Sequence, residues 1–242
     1  MEVEEYARIA AVEDDHWWYR STRALARDLL APWLHRNPRV LDAGCGPGGN
    51  GAWLADHGEV VGVDVSPDAL AYVRARRPTT TPVRASVAKL PFADQSFDVA
   101  VALTVLYTVP DDRRALGELV RVVRPGGAVL LVEPAFAAFG RAHDATVHGL
   151  RRYRRGELSE LAIAAGLVVE RTTYAYSFLA LPAAALGTLD RLTPRRRRAP
   201  GSDVDRRAFD RVFAPLARAE RSWLTHHDVP VGTSVVVLAT RR

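Results

Sequence analysis

Apolar positions along the chain alternate between stretches with a helical period of about 3.6 and short continuous apolar runs. Residues 4–36 carry the helical period in two pieces, interrupted near His16-Trp17-Trp18-Tyr19. The second piece puts Leu25, Leu29 and Leu30 on one face, with Arg23 and Arg27 elsewhere, and stops before Pro38. Continuous apolar runs then predict strands at Val40-Leu41-Asp42 and Val60-Val61-Gly62-Val63-Asp64, and at 82–85, 97–103, 128–132, 167–173 and 235–239. Helices are predicted between them: 52–57, a helix to Arg77 opened by the N-cap Ser66 with Pro67 behind it, 111–123, and 157–165 stopped by Gly166. The third of these is closed by Arg124-Pro125-Gly126-Gly127, where Pro and Gly turn the chain. Strands that are apolar without alternation are buried on both faces, so the expected architecture is α/β, a parallel sheet with helices on both sides. A connection at 135–155 and a helical insertion at 178–224 separate the last strands; in the insertion Phe209, Val212, Phe213, Leu216 and Leu224 follow helical spacing.

Composition narrows the class. The 242 residues are 48 % hydrophobic and 25 % charged, the profile of a folded globular chain and not a disordered one. One domain is expected, with a helical cap at 1–37, a core at 38–133 and a further half at 134–242. A single Cys excludes an intramolecular disulfide and with it a disulfide-stapled scaffold. The acidic start Met1-Glu2-Val3-Glu4-Glu5 does not read as a signal peptide, and the longest apolar stretch, 12 residues at 178–189, is too short to span a bilayer. A cytoplasmic protein without stable membrane insertion, monomer or homodimer, is therefore expected.

Charge changes the picture little. There are 33 Lys+Arg against 28 Asp+Glu, a net +5, and only one of the basic residues is Lys. They are dispersed apart from Arg195-Arg196-Arg197-Arg198, which reads as a solvated loop, with contact to phosphate or an anionic membrane surface as the minority reading. No zinc-finger, RNA-recognition or helix-turn-helix signature accompanies it, and no nucleic-acid partner is expected.

The chemistry concentrates in Val40-Leu41-Asp42-Ala43-Gly44-Cys45-Gly46-Pro47-Gly48-Gly49. Glycines let the chain turn sharply and let a ligand approach backbone at a helix start. Gly44, Gly46 and Gly49 fit a dinucleotide-binding G-x-G-x-x-G, with Asp64 placed 20 residues after Gly44 as the ribose acid. A purely structural strand-to-helix turn fits the same residues. Asp42 discriminates, because a carboxylate two residues before the first glycine repels a pyrophosphate but suits a ligand carrying an ammonium group. A sulfonium amino acid joined to adenosine meets that demand better, and Asp64 can accept both ribose hydroxyls of either ligand.

At this point the sequence resembles the class I S-adenosylmethionine-dependent methyltransferases. The glycine segment looks like their first motif, and Val61-Gly62-Val63-Asp64-Val65-Ser66 like the ribose motif of their second strand. Leu90-Pro91-Phe92-Ala93-Asp94-Gln95-Ser96-Phe97-Asp98-Val99 and Leu119-Val120-Arg121-Val122-Val123-Arg124-Pro125-Gly126-Gly127 are similar to the stretches leading into strands four and five. These motifs stand in order and cover residues 38–133. Glu13-Asp14-Asp15-His16-Trp17-Trp18-Tyr19-Arg20, Leu150-Arg151-Arg152-Tyr153 and Val229-Pro230-Val231-Gly232-Thr233-Ser234 resemble flanking segments of one group of the family, often found with glycan or secondary-metabolite genes. The resemblance implies a Rossmann-like, doubly wound seven-stranded sheet with the last strand antiparallel, and S-adenosyl-L-methionine as cofactor. It implies that Gly44 and Gly46 pass the methionyl part, Asp42 helps position it, Asp64 binds the ribose, and Val65 lies against the adenine. Ser86 and Val87 stand where the family places its adenine contacts. Ser86 departs from the usual Asp, which keeps a hydrogen bond but removes charge assistance. Leu103 would offer its carbonyl to the cofactor's amino group, and Tyr19 and Arg23 would close over its carboxylate, unless these aromatics are simply core.

The resemblance implies methyl transfer to a small-molecule acceptor, a hydroxyl of a natural product, sugar or lipid-linked intermediate. Alternatives are a fold that binds the cofactor but cyclises or catalyses nothing, an NAD-dependent dehydrogenase, and RNA methylation. A hydroxyl acceptor must lose a proton, and His is the natural base at neutral pH. His148, then His143, in the connection after strand five, are the candidate bases. Tyr107 could orient the acceptor. Arg151, Arg152 and Tyr153 could grip an acidic or sugar-like substrate or cap a helix. Phe178, Leu179, Leu181 and Leu186 would form a lid or apolar acceptor wall, with core packing as the bland reading and a membrane-surface contact as the third.

Overall fold

The computed structural model describes residues 1–35, 37–140, 142–192 and 210–242. Seven strands, β1 (Arg39–Ala43), β2 (Glu59–Asp64), β3 (Thr80–Arg84), β4 (Phe97–Leu103), β5 (Val123–Pro134), β6 (Leu167–Ala175) and β7 (Ser234–Arg241), form one sheet in the order β3-β2-β1-β4-β5-β7-β6. The first five are parallel and β7 runs antiparallel to both neighbours, as the resemblance implies. The central strands bury nearly every side chain, whereas the edge strands β3 and β6 are half-exposed over much of their length. That difference is the non-alternating apolar pattern read physically: interior strands face helices on both sides. The chain order reverses between β1 and β4, the crevice where open parallel sheets bind ligands.

The helices are α1 (Val3–Val12), α2 (Trp17–Leu34), α3 (Gly49–Ala55), α4 (Pro67–Arg76), α5 (Asp112–Val122), α6 (Ala142–Thr146), α7 (Arg155–Ala164), α8 (Ala180–Leu192) and α9 (Asp210–Leu224). Ser66 caps α4 as expected, its hydroxyl accepting from Ala69 N at 3.2 Å. Asp111 does the same for α5, accepting from Arg114 N at 2.9 Å, and Ala115, Leu116, Leu119 and Val122 form the buried stripe of that helix.

Three boundaries differ from expectation. The break between the first helices falls at residues 13–16, and Trp17-Trp18-Tyr19 open α2, because the His16 imidazole accepts from Trp18 N at 3.3 Å and caps the helix there. Residues 124–127 do not close α5 as a free turn; they lie inside β5, where Val123 pairs with Phe97 and Ala128 with Val99. Between those two pairs the single residue Asp98 on β4 thus faces four on β5, a bulge that Gly126 permits at φ +78°. The connection after β5 holds a 3-10 turn (Ala137–Phe139) and α6. The insertion is helical where described, as α8 and α9; Arg195 to Arg198 and Phe209 lie outside the described residues.

Candidate active site

The glycine loop joins β1 to α3 at the crevice, and its backbone amides are spoken for. Gly44 N and Cys45 N both donate to Val63 O, at 2.7 and 2.9 Å, and Gly46 N donates to Asp64 Oδ2 at 3.0 Å. A loop whose amides turn inward onto β2 presents no nest for a pyrophosphate. Gly44 is required by its neighbour as well as by its φ of +73°: a Cβ there would lie 2.5 Å from Val105 Cγ2. Gly46, at φ +52°, would meet nothing within 4 Å and so borders open space.

Two buried carboxylates flank this loop. Asp64, at the end of β2, accepts from Gly46 N, from Ser66 N at 2.9 Å, and from the Tyr6 hydroxyl at 3.5 Å. Burial raises its pKa above the usual carboxylate range against the pull of these donors. A carboxylate has about four acceptor positions, so room for a ribose hydroxyl remains, with Tyr6 occupying the place of a second. Asp42, in β1, is 1 % exposed. Its Oδ1 accepts from Asn50 Nδ2 at 3.2 Å, while Oδ2 has no partner among the described residues. Burial pushes the group to about 7 against the Asn50 hydrogen bond. An orphaned buried carboxylate oxygen beside open backbone is what a cationic, phosphate-free ligand would satisfy, so these residues fit S-adenosylmethionine.

The remaining expected contacts assemble around this pair. Ala85 N donates to Asp64 O at 3.2 Å, which sets Ser86 and Val87 beside Asp64 and the exposed Val65. The Ser86 hydroxyl caps its own turn, accepting from Ala88 N at 3.2 Å. Leu103, at the end of β4, has its carbonyl accepting from the Thr104 hydroxyl at 2.6 Å. Arg23 donates from Nη2 to Glu13 O at 2.6 Å, and its Nη1 lies 3.2 Å from where a Gly49 Cβ would be. Tyr19 is held protonated by burial and interacts electrostatically with Glu13, Glu5, Tyr107 and Arg23. Trp17, by contrast, is core, packed against Tyr176, Phe178 and Phe213.

On the acceptor side the sequence reading fares differently. Tyr107 is buried and held protonated by that burial, and its hydroxyl has no hydrogen-bond partner among the described residues. His148 is 55 % exposed and engaged elsewhere: Nε2 lies 2.9 Å from Glu2 Oε1 and Nδ1 3.2 Å from the Met1 amine. It ties down the start of α1 and does not join the cluster around Asp42 and Asp64. The His143 side chain lies outside the described part of the structure. Arg151 pairs with Asp112 at 2.7 Å, Arg152 grips Asp144 at 2.7 and 2.9 Å, and the Tyr153 hydroxyl donates to Asp112 at 2.8 Å. These three hold the connection to α5 and α6. The apolar wall is also corrected, since Leu181 is 84 % exposed, while Phe178 and Leu179 are half-buried against the core.

Sequence reasoning missed the residues that reach the site from afar. Tyr6 and Glu5 on α1 were visible only as helix positions. Glu13 seats against Gly49 and pairs with Arg76 and Arg77 at 3.1 and 3.4 Å, which pins the α1–α2 junction onto the loop. Glu133, fully buried at the end of β5, accepts from the amides of Val105, Leu106 and Tyr107 at 3.1, 2.8 and 3.2 Å. Burial outweighs those amides and raises its pKa to about 8. An acid directly after the apolar run 128–132 was the available signal.

Comparison with known proteins agrees with the geometry. A methyltransferase-domain family model matches residues 41–131. A Mycolicibacterium smegmatis protein described as a probable S-adenosylmethionine-dependent methyltransferase is 32 % identical over 167 residues, covering 68 % of this chain and 64 % of that one. The chain belongs to the class I S-adenosylmethionine-dependent methyltransferases. Another relative, the malonyl-[acyl-carrier protein] O-methyltransferase of Pseudescherichia vulneris, is 37 % identical over 58 % of this chain and 56 % of its own. The matched part of the chain thus spans less than two thirds of these curated relatives. Among solved structures the [4+2]-cyclase SpnF superposes with a TM-score of 0.64 at 20 % identity, over 99 % of this chain and 93 % of that one, a likeness of fold alone. Within this family the cofactor is S-adenosylmethionine, the ligand that the Asp42 and Asp64 pair fits.

Proposed function

We propose that this methyltransferase-family chain methylates a hydroxyl of a small molecule: a natural product, a sugar or a lipid-linked intermediate. The observation that carries the reading is the glycine loop with inward-turned amides, flanked by the unpartnered Asp42 Oδ2 and by Asp64. The bound cofactor supplies a methyl group on a positively charged sulfur, an activated leaving group that needs little further help. Asp64 would accept a ribose hydroxyl, and Asp42 would hold the cationic end of the ligand. Ser86, Val87 and Val65 would border the adenine, the Leu103 carbonyl the amino group, and Tyr19 with Arg23 the carboxylate. Tyr107, whose burial keeps its hydroxyl protonated, would orient the acceptor, and Tyr19 beside it would help exclude water. His148 has no part in this proposal while Glu2 and the amino terminus hold it at the surface. The name of the malonyl-[acyl-carrier protein] O-methyltransferase among the relatives supports an oxygen acceptor.

Calorimetric titration with S-adenosylmethionine, S-adenosylhomocysteine and NAD, alongside Asp64→Ala, is the test, followed by product mass analysis with hydroxyl, amine and carbon acceptors. Adenosyl binding lost in the variant, with an O-methyl product, is the expected result. Adenosyl binding with no methylated product from any acceptor would instead point to a cyclising or non-catalytic protein, and tighter NAD binding would overturn the cofactor assignment.

A further inference from the structure

The chain leaves β4 through a strained turn. Thr104 sits at φ +59°, in the left-handed region that a β-branched residue rarely adopts. Its amide donates to Val132 O at 2.6 Å, and the chain then enters the 3-10 turn Leu106–Thr108. Strain of this kind persists only where the surroundings over-determine the backbone. Glu133, the residue after Val132, supplies that constraint. Its Oε1 accepts from Val105 N at 3.1 Å and Leu106 N at 2.8 Å, and its Oε2 accepts from Tyr107 N at 3.2 Å. The side chain is fully buried. Burying an ionisable group is costly, so packing alone does not account for an acid at this position.

The amides it holds belong to residues on two sides of the crevice. Val105 closes on the glycine loop, where a Cβ on Gly44 would lie 2.5 and 2.7 Å from its two methyl groups. Tyr107 is buried on the acceptor side; its carbonyl accepts from Leu150 N at 2.8 Å, and its Cε2 lies 3.0 Å from where a Gly149 Cβ would be. One carboxyl oxygen therefore fixes the cofactor side and the other the acceptor side. Methyl transfer is an in-line displacement, and a misplacement of about 1 Å costs such a reaction about a hundredfold. We propose that Glu133 is a positioning residue for methyl transfer, setting the distance between the cofactor loop, through Val105, and the acceptor, through Tyr107. The proposal rests on the reading that Tyr107 orients the acceptor. Glu133, with both oxygens engaged by the turn, acts through these two residues and not on the ligands.

Glu133→Gln separates the two ends. Its amide oxygen keeps Val105 and Leu106, while its NH2 group meets the Tyr107 N–H donor against donor. Assays at about pH 9 lie above the value of about 8 to which burial raises the Glu133 pKa, so the wild-type group is ionised. There kcat should fall about tenfold to a hundredfold in the variant, while S-adenosylmethionine affinity by calorimetry stays within about twofold. Adding Tyr107→Phe should cost little more than either change alone, because both act through one hydroxyl. Wild-type kcat in Glu133→Gln, a parallel fall of kcat and cofactor affinity, or additive effects in the double variant would overturn the proposal. If Glu133→Gln does not fold, Gly149→Ala displaces the Tyr107 ring and leaves Glu133 untouched. It should lower kcat at unchanged cofactor affinity, and an unchanged kcat would count against the proposal. A wild-type chain that methylates no acceptor overturns the functional reading instead. The clamp is then read from amide hydrogen exchange, which in Glu133→Gln should quicken at Tyr107 by at least about tenfold and stay as in the wild type at Val105 and Leu106. The same exchange change at all three amides, or none, would overturn it.

Discussion

The two sides of the cofactor crevice are built in opposite ways. The floor, formed by the glycine loop and the ends of β1 and β2, is made of residues within about one strand–helix–strand unit, and apart from Asp42 Oδ2 its groups bond locally: Gly44 and Cys45 on Val63, Gly46 on Asp64, Asn50 on Asp42 Oδ1. The roof, formed by α1 and the start of α2, reaches the floor through long-range contacts, with Tyr6 on Asp64 across 58 positions and Arg76 on Glu13 across 63. The lesson is that affinity for the ligand resides in the floor, while access and shape reside in a roof held by a few polar contacts that water can compete for. Such contacts are individually weak, so the roof is the part of the site from which local opening is drawn.

If that division is right, disabling the floor should cost most. Asp64→Ala removes the charged acceptor of the ribose, and the one charge-assisted hydrogen bond it offers, at about 1.5–3 kcal/mol, corresponds to a loss of about tenfold to a hundredfold in S-adenosylmethionine affinity by calorimetry. Asp64→Asn, which keeps an acceptor for Gly46 N, should retain the fold and still bind poorly. Next in size is Gly44→Ala, which forces a Cβ against Val105 at a positive φ. A drop in stability of about 3 kcal/mol is expected in denaturant melts, and Val105→Ala should restore about 1 kcal/mol of it.

Asp42 supplies a pH test of the same floor. Its pKa is raised from 3.8 to about 7 by burial, so the free protein takes up a proton there as pH falls through that value. A cationic ligand favours the ionised form. Affinity should therefore be flat above pH 7 and fall about tenfold per pH unit below it, and Asp42→Asn should remove the slope. The stability effect has the opposite sign. Because the folded pKa lies above the unfolded one, the stabilising contribution of the protonated group is present below about pH 4 and is lost as pH rises through about 7. Smallest is the roof variant Tyr6→Phe, which frees one Asp64 acceptor position at a long 3.5 Å contact. It should tighten S-adenosylmethionine binding by about threefold and lower stability by about 1 kcal/mol. A large loss of affinity in Tyr6→Phe would show that the roof, too, carries binding energy and would collapse the distinction.

Much of the floor was readable along the chain because its requirements are local. A buried strand, a turn that only glycine tolerates, an acid at the next strand end and a Ser-Pro N-cap are each set by neighbours in sequence, and β4 was placed at 97–103 as the structure has it. Reading failed where a side chain's role depends on what arrives from far away. His148 looked like a base because it follows β5, yet the amino terminus arrives there first and takes both ring nitrogens. Arg151 and Arg152 looked available for a substrate until Asp112 and Asp144 were seen beside them. Phe178, Leu179, Leu181 and Leu186 could be read as a lid or acceptor wall, as core or as a membrane surface; in the fold Phe178 and Leu179 pack on the core while Leu181 and Leu186 face solvent.

What the sequence by itself determined is the order of strands and helices, the glycine loop and its two acids, and hence the family. These follow from periodicity, chirality and the steric limits of single residues. Only the tertiary structure decided which buried polar groups remain without partners among the described residues, Asp42 Oδ2 above all. A donor, an acceptor or an apolar face is satisfied by whatever packs against it, and the fold brings those partners from 20 to 150 positions away.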